Sequence, residues 1–468
     1  MIKTWDLTRG KPLKTIFRFM LPILIGNVFQ QLYSMADAVI VGNTISDVAL
    51  GGVGATGSVS FLIISFAFGL TAGFSVYTAQ RYGAGDAEGV RRSVAQGILL
   101  AVVFTVCLTV TALFSAKPLL QLMKTSDEIF PYAYNYIMVI YGGLGASMFY
   151  NLFSNILRAI GDSKTPLYFL IMASVFNVGL DLLFIMQFHM GVAGAGYATV
   201  ISQGLSAVAC AIYTFHKYPV LKFKLSDLKP NWAILKKELY LGLPMAFQFS
   251  LISVGLLFVQ STLNILGNVY VIAFTAASKI DIIACQFMLS TGTAMAVYVG
   301  QNYGAKNYAR IKEGVRACIF LSVVGSIIFG ILVTVLAKPL TMLFVGGGKE
   351  EIYALSRTYL MFNGMFYFVL GLLGVYRNAL QGVSRSILVL IAGLVELVVR
   401  TALSLLSMKY WGYIGICLSA SMTWVATAIY LIIAYYAVHG HVKREISGED
   451  TAVLLAEPAL ALIAEPTV

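Results

Sequence analysis

The chain has 468 residues, of which 59% are hydrophobic and 11% are charged, with a mean hydropathy of +0.83. A water-soluble domain carries about 25% charged residues, so this composition excludes an ordinary soluble protein. The net charge of +11 would point to nucleic acid in a soluble protein, but basic residues also set the orientation of a membrane protein, and we expect no nucleic-acid partner.

Long uncharged stretches dominate the chain, and one membrane-spanning helix needs about 20 apolar residues. The short alternating segments typical of a membrane β-barrel are absent from the sequence. The sequence therefore predicts an all-α polytopic membrane protein with twelve transmembrane helices. In chain order these are residues 13–42, 49–80, 92–116, 129–158, 165–188, 191–216, 236–266, 270–302, 315–337, 352–380, 384–408 and 411–438.

Basic residues alternate between the two sides of these predicted spans. With both termini on one side, that side holds 24 Lys and Arg and the other side holds 6; Arg158 and Arg377 are assigned to the richer side. Lys279 and Arg400 fall within spans. The asymmetry supports the span count and predicts cytoplasmic termini.

The chain repeats itself at a constant offset of 221 residues. Residues 80–84 recur in part at 301–305, and both copies are predicted on the same side of the membrane. Two halves that face the same way need an even number of spans each, so we expect two pseudo-symmetric six-helix lobes arranged as a parallel repeat. The predicted units are the N-terminal lobe 1–216, a cytoplasmic linker 217–235, the C-terminal lobe 236–440 and a cytoplasmic tail 441–468.

Two acidic positions in the first half are candidates for an ion site. Asp37 follows an uncharged run, and Asn177 and Asp181 are four residues apart, so they share one helix face. A carboxylate in a membrane span is costly and indicates a functional site. Carboxylate and amide oxygens suit a hard cation such as Na⁺. Two neighbouring buried carboxylates could equally hold a proton, so both ions stay open.

Polar side chains recur at helical spacing on two other spans. Asn27, Gln30 and Ser34 form a stripe on the first span, and Asn151 and Asn155 are four apart on the fourth. We interpret Asn151 and Asn155 as lining a substrate cavity, while interhelical hydrogen bonding is the structural alternative.

Four further charged residues are predicted inside the second half. Lys279 and Asp281 do not share a helix face, and they fit either a structural polar cluster or the lining of a cavity. Glu396 and Arg400 are four apart and are expected to pair with each other, with a role in coupling as the alternative.

Several motifs together resemble the MATE (multidrug and toxic compound extrusion) transporters, in particular their DinF-like branch, over roughly residues 10–440. These are MADAVIVG (35–42), AQRYGAG (79–85), GQNYGAK (300–306), LRAIGDSKTP (157–166), FNVGLDLLF (176–184) and GVAGAGYATVISQ (191–203). The resemblance implies two six-helix lobes around a V-shaped cavity. It also implies antiport: lipophilic, mostly cationic compounds leave the cell against inward Na⁺ or H⁺.

The resemblance extends to single residues. It implies that the N-lobe site for Na⁺ or H⁺ consists of Asp37, Asn177, Asp181 and Thr199, which would bind Na⁺ as a metal only if transport is sodium-coupled. It also implies that Gln30 and Tyr33 line the cavity. Other branches place acidic residues in the seventh and tenth spans. Here we expect no carboxylate in the seventh span, taken over 241–267, or in the core of the tenth, which favours the N-terminal lobe. The resemblance further implies a monomer in contact with lipid in a prokaryotic inner membrane.

Two alternative functions require residues that the sequence largely lacks. A flippase for lipid-linked precursors, from the same superfamily, needs several intramembrane Arg or Lys, and by sequence only Lys279 and Arg400 qualify. A lipid-modifying membrane enzyme needs a reactive cluster at one membrane face, and the sequence shows none. We therefore predict a transporter that is not an enzyme and that uses no cofactor apart from its coupling ion.

Overall fold

The computed structural model describes residues 6–45, 47–123 and 125–447, and this part of the chain is almost entirely helical without strands. The helices are α1 (Pro12–Thr44), α2 (Asp47–Gly83), α3 (Ala87–Leu122), α4 (Phe130–Gly142), α5 (Leu144–Ala159), α6 (Lys164–Leu182), α7 (Gly191–Lys217), α8 (Trp232–Leu266), α9 (Asn268–Gly304), α10 (Tyr308–Val335), α11 (Ala337–Val345), α12 (Glu350–Gly382), α13 (Ser386–Leu406) and α14 (Gly412–Ser447).

The described residues contain twelve membrane crossings, as the sequence predicts. Ten stretches are long and apolar enough to cross, and α4 and α5 together form one more span. One of the ten, Ser386–Ser447, has 62 residues, which is about three times the length that a bilayer needs. The chain reverses there at Gly412, whose φ is +53°, and α13 packs against α14, so this stretch crosses twice.

The span formed by α4 and α5 is bent by 47° at its middle. Gly143 lies at the bend, and a Cβ added there would approach Val200 on α7 to 2.2 Å. At this bend α7 approaches so closely that only glycine fits. The corresponding helix of the second half, α12, runs unbroken.

The two lobes, α1–α7 and α8–α14, meet along small residues of α2 and α8. A Cβ added at Gly69 would approach Ala246 Cα to 2.6 Å, and one added at Gly73 would approach Gly242 Cα to 2.3 Å. Such residues let helix backbones pack closely in a membrane, where apolar side chains alone give no preference for protein over lipid.

The repeated segments 80–84 and 301–305 touch each other. A Cβ added at Gly83 would lie 1.9 Å from the carbonyl oxygen of Gln301, and one added at Gly304 would lie 1.8 Å from that of Gln80. The contact is reciprocal, as expected if the axis that relates the two halves passes between the repeated segments.

Both repeated glutamines also reach into the opposite lobe. Gln80 Nε2 donates to the Gly382 carbonyl and to Ser384 Oγ, each at 2.8 Å. Gln301 Nε2 donates to the Ala159 carbonyl at 2.7 Å. Each half thus binds the end of the other half's fourth span, and the lobes are closed together at this end.

The segment between α7 and α8, residues 218–231, packs on α3. Arg91 Nε and Asp227 Oδ2 form an ion pair of 2.8 Å, and Gln96 Nε2 donates to the carbonyls of Asp227 and Lys229. A hydrogen bond from the Lys224 backbone N–H, together with Arg91, holds the pKa of Asp227 below its usual range. At the other end of the chain α14 runs to Ser447, and the rest of the predicted tail, 448–468, lies outside the described residues.

Candidate functional site

The N-terminal lobe contains a cavity of about 380 Å³ between α1, α2 and α4–α7. Its wall is largely polar and aromatic, and Asp37 is the one charged residue among the described residues that line it. Polar lining residues include Gln30, Tyr33, Asp37, Tyr136, Tyr150, Asn151, Asn177, Thr199 and Gln203. The cavity can therefore hold a cation or a proton against one carboxylate.

Asp181 lies behind Asp37 and is fully buried. The two carboxyl groups are within hydrogen-bonding reach of each other. Asp37 Oδ1 and both carboxyl oxygens of Asp181 are buried, and no donor in the described part of the chain reaches them. Two adjacent carboxylates that receive no donor from the described residues are unfavourable in a low-dielectric environment, and a shared proton, a bound cation or water would stabilise them.

Asn177 lies one turn before Asp181 on α6 and is also buried. Its Nδ2 donates to Thr199 Oγ1 on α7 at 3.4 Å, and its Oδ1 accepts no hydrogen bond from any described residue. The structure therefore brings together, from α1, α6 and α7, the four residues predicted to bind the ion. Four of their buried oxygen atoms accept no hydrogen bond from the described residues.

A second cavity, of about 280 Å³, lies between the lobes and is lined by α1, α2, α5, α8, α9 and α12. Gln30 belongs to the walls of both cavities, while Asn155 lines only this second one. The four residues proposed as cavity lining are thus divided: Tyr33 and Asn151 face the N-lobe cavity, Asn155 the central one, and Gln30 both. Their contact with a substrate stays a prediction.

The central cavity is rich in amides and carries two arginines. Its charged lining residues among the described part of the chain are Arg158 and Arg377, and none is acidic. The amide side chains are Asn27, Gln30, Gln31, Asn155, Gln248, Gln286, Asn378 and Gln381. The sequence placed both arginines with the connecting segments, because each lies within three residues of the end of a predicted span.

Arg377 on α12 forms an ion pair with Glu396 on α13. The expected pair of Glu396 with Arg400 is therefore wrong. Arg377 approaches the carboxylate from the neighbouring helix, whereas the Arg400 side chain packs beside Gly255, where an added Cβ would lie 3.2 Å from its Cδ. Arg400 stays in electrostatic range of Glu396 without an ion pair to it.

The C-terminal lobe also holds buried carboxylates. Asp281 accepts hydrogen bonds from Tyr367 Oη at 2.6 Å and from Asn363 Nδ2 at 3.4 Å, and it lines neither cavity. Of the two interpretations given for Asp281, the polar cluster fits. Lys279 is exposed, and its Nζ lies 5.6 Å from the centre of the Phe344 ring.

The expectation that the seventh span carries no carboxylate is wrong, because this span includes a buried glutamate just before residues 241–267. Helix α8 begins at Trp232 and so includes Glu238, which is fully buried and accepts from Ser93 Oγ at 2.8 Å. Glu238 lies near the start of this long helix and before the apolar run 241–267, so the apolar run alone does not indicate it.

Comparison with known proteins gives consistent matches over nearly the whole chain. The family model described as MatE matches twice, over residues 22–183 and 244–406, in agreement with the internal repeat. The probable multidrug resistance protein YpnP of Bacillus subtilis (strain 168) is 28% identical over 435 residues, covering 93% of this chain and 97% of YpnP.

Solved structures match as well. An outward-facing conformation of a multidrug resistance MATE family transporter of the MOP superfamily gives a TM-score of 0.89 at 26% identity, covering 95% of this chain and 99% of that one. A MOP superfamily transporter from Pyrococcus furiosus, described as having a binding pocket of reverse polarity, gives 0.84 at 26% identity, covering 96% and 99%.

Proposed function

The chain belongs to the MatE family of membrane transporters, and from that premise we propose that it is a secondary active antiporter coupled through Asp37 and Asp181. It is a transporter and not an enzyme. In this proposal an organic compound leaves the cell in exchange for Na⁺ or H⁺. The relatives that are named multidrug resistance proteins support export of small organic compounds.

The proposal is supported by the adjacent carboxyl groups of Asp37 and Asp181, of which Asp37 Oδ1 and both oxygens of Asp181 are buried and receive no hydrogen bond from the described residues. A group that stabilises a fold is normally satisfied within it, because each unpartnered buried polar atom costs about 1–3 kcal/mol. Here Asp37 Oδ1, Asp181 Oδ1, Asp181 Oδ2 and Asn177 Oδ1 lack partners in the described chain. Binding of one cation or proton would offset this cost, so occupancy of the site would change the stability of this conformation.

Helix α1 connects this site to the central cavity. It carries Asp37 in the N-lobe cavity, Gln30 in the wall of both cavities and Asn27 in the central one. Pro22 interrupts the hydrogen-bond ladder of the same helix. A bend or shift of α1 on ion binding would therefore reshape the central cavity. Coupling requires that ion and compound bind the two access states with different affinities.

Lipophilic cations, the substrates implied by the resemblance, would fit the N-lobe cavity. Asp37 supplies a negative charge there, and Tyr33, Tyr136 and Tyr150 supply aromatic faces for cation–π contacts. We further propose that the protein works as a monomer in a prokaryotic inner membrane with both termini in the cytoplasm, without a nucleic-acid partner.

The test is gradient-driven transport of ethidium, a lipophilic cation, in proteoliposomes, with Na⁺ and pH gradients imposed separately. Asp37→Asn and Asp181→Asn remove one ionisable group each at nearly constant size. We expect either variant to lose acceleration by the coupling gradient, because a neutral amide holds neither proton nor cation. Asp127→Asn, at an exposed loop position, is the matched control. Wild-type transport by both site variants under a gradient would reject the proposal.

A further inference from the structure

We propose that the central cavity binds an anionic group, namely a carboxylate, sulfonate or phosphate, between Arg158 of the N-terminal lobe and Arg377 of the C-terminal lobe. The inference rests on the proposed transport function and adds a second substrate class to the lipophilic cations of the N-lobe cavity: an amphipathic organic anion or zwitterion in the central cavity.

Arg158 lies in the last turn of α5, where it lines the cavity. Its Nη1 donates to Asn155 Oδ1 at 3.4 Å, a long hydrogen bond to a neutral group, and its Nε is buried without a partner. Within residues 6–45, 47–123 and 125–447 it forms no ion pair. A guanidinium remains charged at any physiological pH, so this cavity wall carries a positive charge without a protein counterion.

Arg377 faces the same cavity from the opposite lobe. Its partner Glu396 is in electrostatic range of a second guanidinium, that of Arg400. Arg377 and Arg400 therefore both interact with the single carboxylate of Glu396. Together these three residues carry a net positive charge. Arg377 Nε is also buried and without a partner among the described residues. The pairing with Glu396 orients the guanidinium without using all of its donors.

The other residues that line the central cavity fit an amphipathic anion. Amide side chains from both lobes, among them Asn155, Gln248 and Asn378, offer N–H donors that neutral and anionic acceptors can use. Phe68 and Phe249 line the cavity and contact each other edge to face at 5.4 Å. The cavity thus combines an apolar face with hydrogen-bond donors and two cationic side chains, and none of its described lining residues is acidic. A purely cationic compound would be repelled by both arginines.

The two arginines come from different lobes, which gives the anion a role in transport. An anion that contacts both guanidiniums bridges α5 and α12. It would favour the conformation in which the lobes are close and would lose one of its two partners when they separate. Charge-assisted hydrogen bonds of this kind are about twice as strong as neutral ones, and in a cavity they are weakly screened.

The experiment compares two naphthalene compounds that differ in the sign of their charge. Binding of naphthalene-2-sulfonate and of 2-naphthyltrimethylammonium to the purified full chain in detergent is measured by calorimetry, with no ion gradient present. In Asp37→Asn, where the N-lobe cavity has lost its negative charge, we expect the sulfonate to bind at least about 10-fold more tightly than the ammonium, because hydrogen bonds to charged groups contribute that much discrimination. Competition by dihexanoyl phosphatidic acid distinguishes a lipid headgroup from a soluble anion as the natural source.

Variants identify the residues. Arg158→Gln should weaken sulfonate binding about 10- to 100-fold, and Arg158→Lys should recover part of the loss. Arg377→Gln is combined with Glu396→Gln, so that no unpaired carboxylate remains buried, and should weaken binding similarly. Arg316→Gln, an exposed arginine on α10, is the control and should bind as the wild type does.

The outcomes separate this inference from the antiport proposal. Tighter binding of the ammonium than of the sulfonate to Asp37→Asn, or equal sulfonate binding by Arg158→Gln and the control, would overturn the anion site. Should the variants not fold, the wild type still decides: the sulfonate should raise its thermal unfolding temperature, and an unchanged temperature would overturn the anion site. Failed coupling, by contrast, shows itself only in the gradient assay on Asp37 and Asp181.

Discussion

Replacement of Gln301 by alanine should open the closed end of the inter-lobe contact. The side chain is fully buried and makes two hydrogen bonds that cross between segments: it donates to the Ala159 carbonyl at 2.7 Å and accepts from the Leu7 N–H at 3.1 Å. In Gln301→Ala both backbone groups lose a partner, at about 1–3 kcal/mol each. The closed state should lose about 2–6 kcal/mol, which changes the ratio of closed to open molecules by roughly 30-fold or more.

The assay is a distance measurement between spin labels at Ala87→Cys and Ala305→Cys, exposed positions on either side of this contact, with Cys107 replaced by serine. The parent protein should give a single short distance, and Gln301→Ala should add a longer population. Gln121→Ala, an exposed glutamine at the end of α3, should leave the distribution unchanged. An unaltered short distance in Gln301→Ala would show that these hydrogen bonds do not hold the lobes together.

Three further predictions concern stability. Gly143→Val should lower the unfolding temperature in detergent by several degrees, because the added side chain overlaps α7 at the bend between α4 and α5. Tyr367→Phe should destabilise by about 1–3 kcal/mol, since it removes the 2.6 Å hydrogen bond to the buried Asp281; Tyr410→Phe, at an exposed position, is its control. The pKa of Asp227 is lowered in the folded state, so its contribution to stability is present above its unfolded pKa and is lost as pH falls through the folded value. Asp227→Asn should flatten the acid limb of the stability curve, and an unchanged limb would exclude ionisation of Asp227 as its cause.

The sequence predicts most of the fold because the membrane constrains it strongly. Apolar runs of helical length specify the spans, and the offset of 221 residues between segments 80–84 and 301–305 specifies two lobes. The break at Gly143 is not predictable in the same way. The break lies where Gly143 closely approaches a residue of α7, 57 positions later in the chain, and the equivalent helix α12 runs unbroken.

The N-lobe residues were found from sequence because a carboxylate inside an apolar run is conspicuous. Arg158 and Arg377 were missed because a basic residue near the end of a span is normally explained by the membrane surface. The i, i+3 spacing of Asn155 and Arg158 was the one available signal that both share a polar helix face. The partner of Glu396 was mistaken because spacing along one helix says nothing about a neighbouring helix.

Ion counterflow tests most directly whether the Asp37–Asp181 pair exchanges its cation or proton during transport. Export of an unlabelled substrate from proteoliposomes should drive ²²Na⁺ or protons inward, read as radioactivity or as a pH-dye signal, in the absence of any imposed ion gradient. We expect stoichiometric counterflow in the wild type and none in Asp181→Asn. Undiminished counterflow in Asp181→Asn, with substrate export intact, would contradict this prediction.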